Sequence, residues 1–132
     1  MNIALIGSGG REHAICNSLK NSNEIKEIFC IPGNAGTEKI AKNINIDIND
    51  FEKIKHFIND NQIDIVIVGP EQPLVDGIVD FLENSNIRVF GPNQVASQLE
   101  GSKIFTKNLC KKYNIPTADF GIFSKKEDAN NF

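Results

Sequence analysis

A chain of 132 residues, 40% hydrophobic and 23% charged with a formal net charge of −3, holds one domain or one domain and part of another, and is too apolar to stay disordered. The acidic balance and the lack of a Lys/Arg block speak against a binder of nucleic-acid backbone. No apolar run nears the ~20 residues of a membrane helix, residues 1–7 have neither the basic start nor the cleavage site of a signal peptide, and Cys16, Cys30 and Cys110 are spaced for neither a disulfide framework nor a zinc site. Reduced thiols in a cytoplasmic protein are expected.

Short runs rich in Ile, Val and Phe recur along the chain: Ile3-Ala4-Leu5-Ile6, Ile28-Phe29-Cys30-Ile31, Ile65-Val66-Ile67-Val68 and Arg88-Val89-Phe90. Such runs predict strands covered on both faces. Each is followed at once by Gly or Pro: Gly7, Pro32-Gly33, Gly69-Pro70 and Gly91-Pro92. Helix-period segments lie between them. Ile15 and Leu19 are four apart. Phe51, Ile54, Phe57 and Ile58 form a stripe with Asn49 or Asp50 as N-cap, and Leu74, Val75, Ile78, Val79 and Leu82 form a broader one. Alternating buried strands and amphipathic helices predict an α/β fold, a Rossmann-like open parallel sheet flanked by helices. Ile44-Asn45-Ile46-Asp47-Ile48 alternates with period two and predicts a short edge strand.

After Gly91-Pro92 the pattern changes. Residues 95–99 read as a short helix, broken at Gly101-Ser102, and Phe105, Leu109 and Tyr113 give a second stripe. Phe120-Gly121-Ile122-Phe123 reads as a strand. Ser124 with Glu127 three residues on is a capping-box pattern, which predicts a helix from Ser124 to Phe132. A boundary falls near Gly101, with an incomplete second unit after it.

In an open parallel sheet, ligands bind beyond the C-terminal strand ends. Loops 7–11, 32–36, 69–73 and 91–93 are therefore expected to converge. The first, Gly7-Ser8-Gly9-Gly10-Arg11-Glu12-His13, joins glycines that admit close backbone approach to a helix N-terminus and a guanidinium. That is a phosphate cradle, or a tight turn without a ligand. It departs from the dinucleotide fingerprint: Glu12 stands where the third glycine belongs, and Ile31-Pro32-Gly33-Asn34 offers no acid for a ribose hydroxyl. Glu71, directly after a strand and its Gly-Pro turn, is either a ligand-facing carboxylate or a solvated loop residue. Glu12 and His13 read first as a helix-start acid and a surface histidine. Asn34 lies in a turn sequence. Lys103, a cation at a helix start, hints at an anionic partner.

Taken together, Gly7-Ser8-Gly9-Gly10-Arg11-Glu12-His13-Ala14, Pro32-Gly33-Asn34-Ala35-Gly36-Thr37, Gly69-Pro70-Glu71-Gln72-Pro73-Leu74-Val75-Asp76-Gly77, Phe90-Gly91-Pro92 and Gln98-Leu99-Glu100-Gly101-Ser102-Lys103 resemble the phosphoribosylamine–glycine ligase family of the ATP-grasp superfamily. The likeness runs in order from Met1 to about Phe123. It implies a substrate-binding domain over residues 1–101 and the start of an ATP-grasp domain over 102–132. It further implies a ligase of de novo purine synthesis that uses ATP with Mg2+ or Mn2+. Such an enzyme forms glycyl phosphate and joins it to 5-phosphoribosylamine, giving glycinamide ribonucleotide, ADP and phosphate. Carried over by position, Gly9, Gly10 and Arg11 would hold the substrate phosphate, with Glu12 and His13 beside it. Asn34 and Glu71 would face ribose and amine, and Lys103 would reach the nucleotide phosphates.

No catalytic residue or metal ligand is implied within this stretch. Family members are much longer, and the nucleotide lid, the acidic magnesium ligands and the C-terminal domain belong to parts not matched here. The 132-residue chain is therefore expected to be a fragment, inactive by itself. The implied partners are 5-phosphoribosylamine, glycine, ATP and the enzyme's remaining domains, with no nucleic acid or membrane. Two alternatives stay open: a non-catalytic phosphosugar- or nucleotide-binding module, and an NAD-binding oxidoreductase domain.

Overall fold

The computed structural model describes residues 1–131. Five strands form one parallel sheet: β1 (Asn2–Gly7), β2 (Glu27–Pro32), β3 (Lys42–Asn43), β4 (Ile65–Val68) and β5 (Val89–Phe90). Their order is β3-β2-β1-β4-β5, so the direction of winding reverses between β1 and β4. Ile3 pairs with Ile28 on one side and Ile65 on the other. Central β1 is buried from Ile3 to Gly7. Its side chains alternate between two apolar clusters, as the period-two geometry of a strand requires: Ala4 and Ile6 enter one, Leu5 the other.

Helix α1 (Gly10–Leu19) covers the Leu5 face, with Cys16 buried and Ile15 and Leu19 packed around it. Helices α2 (Phe51–Asp60), α3 (Glu71–Val75) and α4 (Ile78–Glu83) contribute to the other cluster. The predicted stripe of α2 buries Ile54 and Ile58 almost completely, each worth roughly 1.5–3 kcal/mol. Its cap is Asp50, whose side chain accepts from the Lys53 N–H at 3.1 Å. The Lys53 ammonium, 2.7 Å away, and this backbone N–H hold the Asp50 carboxyl below its ordinary pKa.

Several expectations are corrected. The edge strand is Lys42–Asn43, not residues 44–48. After Ile44 N–H bonds Cys30 O at 2.8 Å, Ile46 N–H turns back to Ile44 O, also at 2.8 Å, and pairing ends. Ile44, Ile46 and Ile48 instead pack against the α2 face of the core. The broad stripe 74–82 is two helices, because Gly77 adopts φ +93° and breaks the run after Asp76. Glycine is the residue that takes this conformation without a Cβ penalty.

The chain divides into two compact units, Met1–Ser97 and Gln98–Phe132. Helix α5 (Gln94–Gly101) spans the division. In the second unit, Ser102 caps α6 (Lys103–Lys112), its Oγ accepting from the Phe105 N–H at 3.2 Å. Lys107 Nζ ties α6 to the following segment through Thr117 Oγ1 at 2.7 Å and Ala118 O at 2.8 Å. Residues 120–123 form no strand. The last helix, α7 (Lys126–Asn130), has Lys125 and not Ser124 at its N-cap, one residue later than the capping-box pattern predicts, and no side-chain cap bond. Phe132, its expected end, lies outside the described residues.

Candidate functional site

Since every strand is parallel, the turns after β1, β2, β4 and β5 leave from one edge, and β1 and β4 flank the switch point at which such sheets bind ligands. Gly7 takes φ +128° and Gly33 φ +76°, where an L side chain is strained. The Gly33 N–H bonds Gly7 O at 3.1 Å, and the Gly69 N–H bonds Ile6 O at 3.0 Å. The three turns are thereby tied to one another at their roots. Gly91 packs elsewhere: a Cβ there would come within 2.9 Å of Leu74 and 3.2 Å of Val79.

Helix α1 begins at Gly10 with Gly9 as N-cap. Glu12 Oε2 accepts from the Gly9 N–H at 2.6 Å. This is half of a capping box, since Gly9 has no side chain to return the bond. The N–H groups of Gly10, Arg11 and Glu12, in the first turn, have no acceptor within the helix. A Cβ on Gly10 would meet nothing within 4 Å, so the space above the helix start is open. Arg11 is exposed there. Its Nε lies 3.8 Å from Glu12 Oε1 and its Nη2 3.7 Å from Glu71 Oε2, on the first residue of α3. Both distances exceed a hydrogen bond, so the guanidinium is loosely held between two carboxylates.

Glu12 is only 3% exposed, the one buried charged side chain among the described residues. Its position at a helix start suggests a solvated acid. The structure places it inward, under the turns. Its Oε1 is buried and has no hydrogen-bond partner.

Asn34 is committed within the protein. Its Nδ2 donates to Ser8 O at 2.8 Å and Gly9 O at 3.1 Å, and its Oδ1 accepts from the N–H groups of Gly36 at 2.7 Å and Thr37 at 3.0 Å. The side chain therefore clamps the first turn to the second. Two residues given no role by sequence reasoning hold it in place. Buried Thr37 accepts from the Asn34 N–H at 2.7 Å, and Asn43 Nδ2 donates to Asn34 O at 2.8 Å. Their signal is Thr37 directly after the second glycine-rich turn and Asn43 at the end of the edge strand. His13 is exposed, with its ring against Gly36, where a Cβ would lie 2.8 Å from Nδ1.

Behind the loop, Cys16 Sγ and Cys30 Sγ are 3.1 Å apart and fully buried. Burial pushes both thiols up, Cys30 to about 12 with the Cys16 contact adding to the effect. They are core groups, not nucleophiles. Among the described residues no three His, Cys, Asp or Glu side chains converge to hold a metal ion. The described residues therefore do not fit a magnesium site by themselves.

Within the second unit, exposed Lys103 lines a cleft of about 130 Å³ with Glu100, Thr106, Lys107 and Thr117. Ligand pockets run to roughly 300–1,000 Å³. The cleft beside Lys103 is therefore too small by itself to enclose a nucleotide.

Sheet order and switch-point turns define the class: a Rossmann-type α/β domain with an anion-compatible helix start at its ligand edge. A family model described as phosphoribosylglycinamide synthetase, N domain, matches residues 1–100, and the chain belongs to that family. A phosphoribosylamine–glycine ligase of Caldanaerobacter subterraneus is 46% identical over 132 residues, covering 100% of this chain and 32% of the relative. Another from Mesorhizobium japonicum is 49% identical over 124 residues, 94% of this chain and 29% of the relative. The crystal structure of the Thermotoga maritima phosphoribosylamine–glycine ligase superposes with TM-score 0.73 at 31% identity, over 99% of this chain and 29% of that one. An N5-carboxyaminoimidazole ribonucleotide synthetase from the same organism gives TM-score 0.74 at 18% identity, over 99% of this chain and 36% of that one, and shows the shared fold alone. The chain spans about a third of the length of the curated relatives it matches. No helix is long and apolar enough to cross a membrane among the described residues.

Proposed function

We propose that this chain forms the substrate-phosphate-binding part of an ATP-dependent ligase that joins glycine to 5-phosphoribosylamine, giving glycinamide ribonucleotide, ADP and phosphate. The observation that carries this reading is the exposed Arg11 guanidinium in the first turn of α1, at the switch point and 3.7 Å from Glu71, beside a helix start whose N–H groups lack intrahelical acceptors. Backbone donors, helix dipole and guanidinium all favour a phosphate there. The fold is that of relatives named for this reaction.

In this reading the N–H groups of Gly10 and Arg11 and the Arg11 fork take the terminal phosphate. Glu71, half-exposed on the next turn, accepts from a ribose hydroxyl or the amine. Asn34 acts through the loop it clamps and not by touching the ligand, which modifies the role that the resemblance assigns to it. His13 shields the side of the cradle along the second turn. Lys103, at the start of α6, is assigned to the nucleotide phosphates. In the longer enzyme ATP would phosphorylate glycine's carboxylate, making it electrophilic, with groups outside this chain. The residues described here hold the partner substrate.

The test is calorimetric titration of the 132-residue chain with glycinamide ribonucleotide. Arg11→Ala is expected to weaken binding about tenfold or more, a charge-assisted contact being worth about 1.5–3 kcal/mol. Its unfolding midpoint should stay near wild type, because both ion pairs are long and the side chain is exposed. Unchanged affinity would remove the phosphate-cradle reading.

A further inference from the structure

Three glycines from two turns surround one side chain. A Cβ on Gly7 would come within 2.7 Å of Glu12 Cδ, one on Gly9 within 2.9 Å of Oε2, and one on Gly69 would overlap Oε1. In a dinucleotide site, the glycines of the first turn admit the ligand's pyrophosphate, and the third lets helix and strand pack closely. Here a buried carboxylate of the chain itself takes up that room, between the ends of β1 and β4. It also consumes the Gly9 N–H, one of the donors a diphosphate would use. Oε2 is held by that N–H, while Oε1 has no hydrogen-bond partner and its nearest cation is Arg11 Nε at 3.8 Å.

We infer that Glu12 is the residue that sets the ligand class of this edge: its carboxylate bars a bridging diphosphate and leaves the helix start open to a single terminal phosphate. The inference rests on the reading of the α1 start as a phosphate cradle. Two effects act in the same direction. The side chain fills the space over which a diphosphate would cross. Its negative charge lies beside a second phosphoryl group but is separated from a first one by Arg11. Exclusion by bulk and like charge is how a site discriminates between ligands that share one recognised group. Gly10, with open space around its Cβ position, remains the point of approach.

Ribose 5-phosphate and ADP-ribose make a matched pair of probes, since ADP-ribose is ribose 5-phosphate with its phosphate joined to AMP. Calorimetry on the 132-residue chain should give ribose 5-phosphate at least about tenfold the affinity of ADP-ribose. Glu12→Ala removes bulk and charge, and should bring the two affinities to within about threefold. Glu12→Gln keeps the bulk and removes the charge, so the ratio should fall by a smaller, measurable factor. Equal affinities in wild type, or a ratio unmoved in a natively folded Glu12→Ala chain, would overturn the inference alone. Where Glu12→Ala fails to show a cooperative melt, the near-isosteric Gln variant decides, and an unmoved ratio there overturns it. No ribose 5-phosphate binding by wild type would instead remove the cradle reading itself, and the inference with it.

Discussion

Gly69→Ala tests the contact on which the ligand edge is built. The φ of Gly69 lies outside the left-handed region, so alanine adds no backbone strain. The new Cβ overlaps Glu12 Oε1 and lies 2.7 Å from Cδ. Glu12 is almost fully buried and its Oε2 is held by the Gly9 N–H at 2.6 Å, so the carboxylate must leave its seat and lose that bond. Overpacking costs about 1–3 kcal/mol, and a hydrogen bond to a charged group is worth about 1.5–3 kcal/mol. The reduced entropy of the unfolded chain returns about 0.4–1 kcal/mol. A net loss of about 3 kcal/mol is expected from urea unfolding with linear extrapolation. Gly10→Ala is the matched control: nothing lies near its Cβ, and it should be neutral or stabilising by up to about 1 kcal/mol. In a Glu12→Ala background the clash has no partner. The double variant should then fall short of the summed single losses by about 1.5 kcal/mol or more. A Gly69→Ala chain within about 0.5 kcal/mol of wild type, or a cycle additive to about 0.5 kcal/mol, would refute the assignment of Glu12 as the side chain these glycines make room for.

Two further outcomes follow from the same geometry. Asn34→Asp keeps the acceptor for Gly36 and Thr37 but loses the donors to Ser8 and Gly9. It should cost about 1–3 kcal/mol and speed hydrogen exchange in the first turn, whereas unchanged exchange there would deny the clamp. The Cys30 thiol is raised from 9.0 to about 12 by burial first and the Cys16 contact second. A raised folded value means that the neutral thiol's contribution is complete below about pH 9 and is lost as pH climbs toward 12. A Cys30→Ser chain should lack this part of the alkaline loss in pH-dependent unfolding, and an identical pH slope would contradict the burial assignment.

Much of the fold is legible because the strands are covered on both faces. Ile3-Ala4-Leu5-Ile6 and Ile65-Val66-Ile67-Val68 leave no polar alternation to confuse them, and α2 declares itself by Asp50 and by Ile54 and Ile58 at helical spacing. The edge was misplaced because Ile44, Ile46 and Ile48 have strand periodicity. Their alternation serves packing onto α2's side of the sheet after pairing has already ended. The break at Gly77 was hidden by apolar spacing that continues through it.

At the ligand edge the turns and Arg11 were legible, while Glu12's burial was not. A glutamate in the first helical turn is ordinarily a solvated acid. The Gly9 N–H holds it locally, but part of the room it occupies comes from a glycine fifty-seven positions later, at the end of β4, which no local pattern carries. Asn34 shows the same limit. Its turn was readable, but its two hydrogen bonds to Ser8 and Gly9 in the neighbouring loop were not.

The sheet order also sets a timetable for synthesis. β1 emerges first, yet its neighbours lie 25 and 62 positions downstream, as Ile3 against Ile28 and Ile65 shows. At about 5–20 residues per second, roughly 2–7 s separate the appearance of β2 from that of β4. During that interval the nascent chain carries an Ile-rich strand with one edge unpaired, a template for mispairing. Only the arrival of Ile65–Val68 closes that edge.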